Sequence, residues 1–153
     1  MKPLKQLKEL ALDYDRKKNP NFPEYARSVR SYTDKTSNGL TKCIIDWLKF
    51  SGWQAERISV QGRYVDESKV VTDVIGRKMK IGSGKFIPSS MQKGSADISA
   101  TIRGKSVKIE VKIGRDRQSQ EQLEYQRQVE QAGGVYFIAV SFEDFLNKYN
   151  QLI

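Results

Sequence analysis

Apolar residues recur along this chain with two periods, and the switch between them separates helices from strands. Leu40, Cys43, Ile44, Trp47 and Leu48 fall at i, i+3, i+4, i+7 and i+8, which predicts one buried stripe of a helix over residues 38–51. Gly52 follows where a C-terminal cap belongs. Leu4, Leu7, Leu10 and Ala11 repeat the helical spacing near the N-terminus, before the breaks at Asn19-Pro20 and Phe22-Pro23. Period two takes over later. Residues 54–60 predict a short strand with Ala55, Ile58 and Val60 apolar, and residues 98–102 and 107–113 predict two strands around Arg103-Gly104-Lys105-Ser106. Ser119 is placed to cap a helix that ends at Gly133-Gly134. The continuous apolar run 135–140 predicts a strand covered on both faces, in the interior of the sheet. Ser141-Phe142-Glu143-Asp144 has the form of a capping box opening a last helix with Phe142, Phe145, Leu146 and Tyr149.

Between these lies a polar, glycine-bearing stretch, 61–93, with strand patterns at 70–75 and 77–81. Its basic cluster Arg77, Lys78, Lys80 and Lys85, beside Gly82 and Gly84, makes a candidate phosphate-contacting hairpin. The Walker spacing G-x-x-x-x-G-K-[ST] is not met, which sets nucleotide hydrolysis aside. The organisation expected is an N-terminal basic extension over 1–35 and a domain over 36–153 with 61–93 inserted as a basic β-hairpin. The extension's role stays open between lying on DNA and packing on the domain. The order α-β, hairpin, β-β-α-β-α predicts an α/β fold, a central mixed sheet of about four strands flanked by helices.

Composition narrows the chemistry. The chain has 153 residues, 38% of them hydrophobic, enough for one core. Its net charge of +9 points to a polyanionic partner, since Lys and Arg release counterions from phosphates. It has no histidine and one cysteine, Cys43. Ser-His and Cys-His catalysis, His-based nuclease sites and zinc sites are therefore excluded, and carboxylates and lysines must carry any catalysis. No apolar run reaches membrane-spanning length, and Lys2-Pro3-Leu4-Lys5 is not followed by a signal-peptide core, so a cytoplasmic protein is expected.

The strand alternation places Asp97, Ser99 and Thr101 on one face of the first strand, and Lys108, Glu110 and Lys112 on one face of the second. If Ile102 pairs with Val107 across a four-residue turn, Asp97 stands opposite Lys112 and diagonal to Glu110, with backbones roughly 7–8 Å apart. A shift of two residues sets Asp97 directly opposite Glu110. Either pairing gathers two carboxylates and a lysine on one polar face. An exposed amphipathic hairpin with ordinary salt bridges fits the alternation equally well.

Gly94-Ser95-Ala96-Asp97-Ile98, a hairpin, then Ile109-Glu110-Val111-Lys112 resembles the D-x(n)-E-x-K signature of the PD-(D/E)XK phosphodiesterases, with Ala96 at the motif's proline. Ser119-Gln120-Glu121-Gln122, Gln126 and Ala132-Gly133-Gly134 before the apolar strand are similar to the VRR-NUC branch of that superfamily. The resemblance is close over 94–145 and looser over 38–60; Asn38-Gly39-Leu40-Thr41 is similar to small nuclease-like proteins of phages and mobile elements. It implies a restriction-endonuclease-like core and a DNA endonuclease dependent on Mg²⁺, with Mn²⁺ as a substitute. Asp97, Glu110 and the Val111 carbonyl would be metal ligands, Lys112 the catalytic lysine, and Gln122 a supporting or DNA-contacting amide. Arg57, on the strand beside the site, is a candidate phosphate contact. The glutamate that many relatives carry on the first helix falls on Thr41, and the nearest carboxylate, Asp46, is a turn too late. Resolvase-like relatives cut branched DNA as symmetric homodimers, which makes DNA and a second copy the expected partners. A fold that binds DNA without cleaving it, and an RNA-binding or toxin-like nuclease, are the competing expectations.

Overall fold

The structure, a computed structural model, describes residues 2–59 and 62–153. The chain divides into two compact units, one of Met1–Ile58 with Gly94–Ile153 and one of Ser59–Lys93. The first is mixed α/β. Its elements are α1 (Pro3–Lys18), a short 3₁₀ turn (Glu24–Ala26), α2 (Ser37–Phe50), β1 (Gln54–Arg57), β6 (Ile98–Ile102), β7 (Lys105–Val111), α3 (Gln120–Gln131), β8 (Val135–Ala139) and α4 (Phe142–Leu152). The second carries β2 (Arg63–Asp66), β3 (Lys69–Thr72), β4 (Lys78–Ile81) and β5 (Gly84–Ile87).

The first unit is built on a four-stranded mixed sheet, ordered β1-β6-β7-β8, antiparallel except for the parallel pair β7-β8. That parallel step needs a crossover, and α3 supplies it. One sheet face carries Ile98, Ala100, Ile102, Val107, Ile109 and Val111, all buried with Leu40, Cys43, Ile44 and Leu48 of α2 and Phe142 and Phe145 of α4. The other face lies under α3. Both helix ends flanking the site strands close in the same way. Trp53 N–H reaches the Leu48 carbonyl (2.9 Å) and Gly52 N–H that of Lys49 (3.1 Å); Gly134 and Gly133 do the same to Val129 and Glu130. These are Schellman closures, with Gly52 and Gly133 at φ 88° and 81° where a side chain would strain the backbone.

Several readings of the sequence need correction, and among them the strands expected over 70–75 and 107–113 end at Thr72 and Val111. The strand expected over 54–60 ends at Arg57, while Val60, like Gln61 at the start of the inserted stretch, lies outside the described residues. The run expected as an interior strand over 135–140 forms the outermost strand of the sheet and ends at Ala139, with Val140 beyond it exposed. The run is apolar because helices flank it on both sides: Phe137 packs toward Phe145 of α4, and Tyr136 meets Tyr125 of α3 edge to face. Finally, Ile102 pairs with Lys105, not Val107. The connection is the two-residue turn Arg103-Gly104, both at positive φ (49° and 77°), a turn whose twist matches that of the strands.

α1 is part of the core: Leu7 is fully buried and Ala11 nearly so, with Leu4 packed against the same cluster. The segment that follows is pinned by Arg27, whose guanidinium bonds to Asp15 (2.5 Å), Glu24 (2.9 Å) and the carbonyls of Asn19 and Phe22 (both 2.8 Å).

In the second unit β2 pairs with β5 and β3 with β4, both antiparallel. The two ladders share one register, Asp66 facing Gly84 and Lys69 facing Ile81, so the chain runs out and back as a two-stranded ribbon interrupted at 67–68 and 82–83.

Leu7→Ala tests the place of α1. Removing a fully enclosed side chain should cost about 3 kcal/mol of unfolding free energy, read as a lower urea midpoint at unchanged slope. A change near zero would mean that α1 is a detachable arm.

Candidate active site

The turn at Arg103-Gly104 sets the site. With Ile98 opposite Ile109, the next step of the ladder puts Asp97 against Glu110, the two-residue shift of the pairing expected from a four-residue turn. Asp97 is half-buried just ahead of β6, and its Oδ2 accepts the Val111 N–H at 2.9 Å. Glu110 and Lys112 lie on the face under α3 and are both buried, at 3% and 8% exposure, so this polar face is not solvated.

α3 closes over them through its own N-terminus. Ser119 caps the helix by accepting the Gln122 N–H (3.3 Å), and Gln122 returns the bond by accepting the Ser119 N–H on Oε1 (3.0 Å). That capping geometry fixes the Gln122 amide, and the same amide serves the site. Its Oε1 also accepts from Lys112 Nζ (3.0 Å), and its Nε2 donates to Glu110 Oε1 (2.6 Å). Lys112 Nζ is 3.1 Å from Glu110 Oε1 and 3.5 Å from Asp116 Oδ2. Asp97, Glu110, Lys112 and Gln122 are thus brought together.

Glu110 Oε1 is crowded with donors, whereas its Oε2 is buried without a hydrogen-bond partner. Burial first, then the charge of Asp97, pushes the Glu110 carboxyl above its ordinary range, against the opposing pull of Lys112 and Gln122. A buried carboxylate oxygen with no partner costs free energy, and a hard cation is the group that would relieve it. The backbone agrees with such a ligand. Lys112 N–H donates to the Ala139 carbonyl on β8 (3.0 Å), so across the planar trans peptide the Val111 carbonyl points away from β8, to the Asp97 side. Asp97, Glu110 Oε2 and the Val111 carbonyl form an oxygen set that suits Mg²⁺, which keeps several waters of its own. Among the described residues no three Asp, Glu, His or Cys side chains gather as a metal cluster. Thr41 is buried and its hydroxyl donates to the Ser37 carbonyl (2.8 Å), while Asp46 is held by Tyr32 (2.9 Å) and Arg30 (3.2 Å). Neither supplies a third carboxylate.

Several residues to which the sequence assigned no functional role also lie around the site. Gly94 sits at φ 80°, and a Cβ there would lie 2.3 Å from the Glu121 carbonyl oxygen, so the strand leading to Asp97 touches the α3 backbone directly. Tyr136 lies behind the carboxylates; burial and the charges of Glu110 and Asp97 raise its hydroxyl to about 12, and Gln118 donates to it (3.3 Å). Lys108 donates to Ser99 (2.6 Å), and Arg115 and Arg117 flank Asp116, exposed. Pairing β8 against β7 by parity would have found Tyr136, because it stands beside Lys108 in the ladder.

Arg57 is placed differently. It pairs with Ile98, hence on the face opposite Asp97, and its guanidinium donates to Asn38 at the start of α2 (2.7 Å). In the ribbon, Lys78 and Lys80 share one face with Thr72 and Val70. Lys80 is paired with Asp66 at 2.6 Å, whereas Arg77, Lys78 and Lys85 have no ion pair among the described residues. No helix among the described residues is long and apolar enough to cross a membrane. Compared with protein-family models and with curated proteins, the chain matches none.

The buried pair makes a pH prediction for the metal-free protein. A carboxyl whose folded pKa is raised binds its proton more tightly when folded, so its share of stability is greatest in acid and falls as pH rises from the ordinary carboxylate range through the raised value. Lys112→Ala removes the cation that offsets this. The resulting destabilisation should reach about 3 kcal/mol at pH 8 and shrink toward zero at pH 5, in urea titrations with EDTA. Equal destabilisation at both pH values would show that Glu110 is not the source.

Proposed function

We propose that this protein is a metal-dependent DNA endonuclease with a restriction-endonuclease-like core of the PD-(D/E)XK kind, close to its VRR-NUC branch. The observation that carries the reading is the orphaned Oε2 of buried Glu110, set across the ladder from Asp97 and beside Lys112. Asp97, Glu110 and the Val111 carbonyl would hold Mg²⁺, or Mn²⁺ in its place. When bound, the cation supplies charge stabilisation at the phosphate and a more acidic water. Lys112 presents an ammonium whose position is set by Gln122 and Glu110, able to orient a water or to stabilise charge that develops on the scissile phosphate. Gln122 is the positioning amide: it fixes both ends of the Lys112–Glu110 pair and leaves Glu110 Oε2 clear. Arg57, Arg77, Lys78, Lys80 and Lys85 are the proposed phosphate contacts, in keeping with the net charge of +9. A cytoplasmic location, a homodimer and a preference for branched DNA complete the proposal.

The second reading, a DNA-binding protein of the same fold that does not cleave, is favoured by one observation: Thr41 and Asp46 bring no third carboxylate to the centre. Plasmid and four-way-junction substrates with Mg²⁺, Mn²⁺ or EDTA separate the two. Metal-dependent cleavage is expected, abolished by Asp97→Asn and Glu110→Gln and slowed about 100-fold or more by Lys112→Ala. Millimolar Mg²⁺ should also raise the melting temperature of the wild type and not of Glu110→Gln, a readout that needs no turnover. Cleavage undiminished in Lys112→Ala would remove the assignment. Binding to junctions without cleavage in any metal would establish the second reading.

The basic ribbon has its own signature. Replacing Arg77, Lys78 and Lys80 by alanine should weaken duplex binding and flatten its salt dependence, by about 0.9 in the log–log slope for each phosphate no longer neutralised. An unchanged slope would place these side chains in bulk solvent.

A further inference from the structure

The tip of the β2–β5 ribbon combines features that an ordinary surface turn lacks. Turns are normally occupied by Gly, Pro, Asn, Asp and Ser, because the tip is wet and the backbone conformation demanding. Here the loop between β3 and β4 is Asp73-Val74-Ile75-Gly76-Arg77, and its two outermost residues are β-branched and apolar. Val74 is 105% exposed and Ile75 72% exposed, the two most open aliphatic side chains of the ribbon.

The loop is nonetheless rigidly built. Asp73 N–H donates to the Arg77 carbonyl (2.9 Å) and Gly76 N–H to the Asp73 carbonyl (3.0 Å), with Gly76 at φ 82°. The Asp73 carboxylate accepts the N–H groups of Ile75 (3.0 Å) and Arg77 (2.8 Å). This is the three-residue hairpin loop, a turn followed by a left-handed glycine, locked further by the aspartate. The apolar pair is therefore presented in one conformation, which lowers the ordering cost of inserting it anywhere.

Charge says into what. Arg77 and Lys78 follow the tip directly, Lys80 is one step along the same face, and residues 63–87 carry six cations against three carboxylates. A two-stranded ribbon has the width that a DNA groove admits. Apolar wedges flanked by phosphate-binding cations are a general device for unstacking a base step. We propose that Val74 and Ile75 form such a wedge, inserting between adjacent base pairs of duplex DNA while Arg77 and Lys78 hold the neighbouring phosphates. The inference rests on DNA being the partner, and it adds a distortion of the DNA that the cleavage centre does not require. It also gives the protein a reason to prefer junctions, whose base steps are already loosened.

The test uses the full chain in EDTA with a duplex carrying 2-aminopurine at successive positions, whose fluorescence rises when its neighbours unstack; anisotropy of the same complex reports binding. Wild-type protein should raise the 2-aminopurine signal several-fold at one or two adjacent positions at saturation. Val74→Ser with Ile75→Ser should keep the salt slope of binding but lose the rise, and Ile75→Phe, which keeps a wedge, should retain it. Both positions are exposed, so neither change removes packing, and matching circular dichroism with a retained salt slope confirms that the ribbon is intact. Saturated binding with no rise, or a rise that survives the double serine variant, overturns the wedge and leaves the nuclease reading standing. Failure of the wild type to bind any DNA removes both. If the double variant instead changes the molecular mass in light scattering, the tip is an interface between copies and the wedge is overturned.

Discussion

The pairing of β6 with β7 decides which side chains meet, and that pairing is held by two residues, Arg103 and Gly104, both at positive φ. Had the connection been four residues long, Asp97 would face a lysine. Because it is two, the ladder runs on to set one carboxylate against the other at the end of β6. The left-handed conformation costs about 1 kcal/mol or more at Arg103, so the hairpin holds its register against local strain. Every feature of the candidate centre descends from this register: the Val111 N–H reaching Asp97, the Val111 carbonyl turned toward the same side, and the upward push of the Asp97 charge on Glu110.

The sheet then divides its labour by face. Ile98, Ile109 and Val111 join α1, α2 and α4 in a dry core, while the opposite face places Glu110 and Lys112 under a helix with no fully buried residue of its own. A buried ion pair is a weak source of stability, because desolvating two charges offsets most of their attraction. The apolar face supplies the folding free energy, and the polar face retains a carboxylate oxygen that nothing satisfies. Such a local deficit is expected where a ligand completes the structure. α3 contributes by a single economy: the Gln122 amide that closes the helix N-terminus also orients both members of the pair.

Much of this was legible before any coordinates. The stripe on α2, the caps of α3 and α4, and the alternation that puts Asp97, Glu110 and Lys112 on one face all follow from spacing. The register did not, for a physical reason. The usual marker of a two-residue hairpin is Asn-Gly or Asp-Gly, and Arg-Gly does not announce one. The apolar run at Val135–Ala139 suggested an interior strand, since sequence reports how much of a strand is covered and not whether strands or helices cover it. Burial of Glu110 and Lys112 was illegible for a related reason: α3 is mostly polar, with only Leu123, Tyr125 and Val129 apolar and no fully buried residue, so its pattern does not announce that it covers the sheet. Leu7 carried the helical spacing, but nothing local tells whether such a helix finds a partner.

The close approach at Gly94 has a mechanical meaning. Its backbone rests on the Glu121 and Gln122 backbone with no room for a methyl group, three residues before Asp97 and at the first turn of the helix that carries Gln122. Two levers therefore share one fulcrum. With no gap between them, α3 cannot shift toward the segment that leads to Asp97 without displacing it. A displacement of the first turn of α3 toward the sheet would therefore be felt at Asp97 through backbone contact alone.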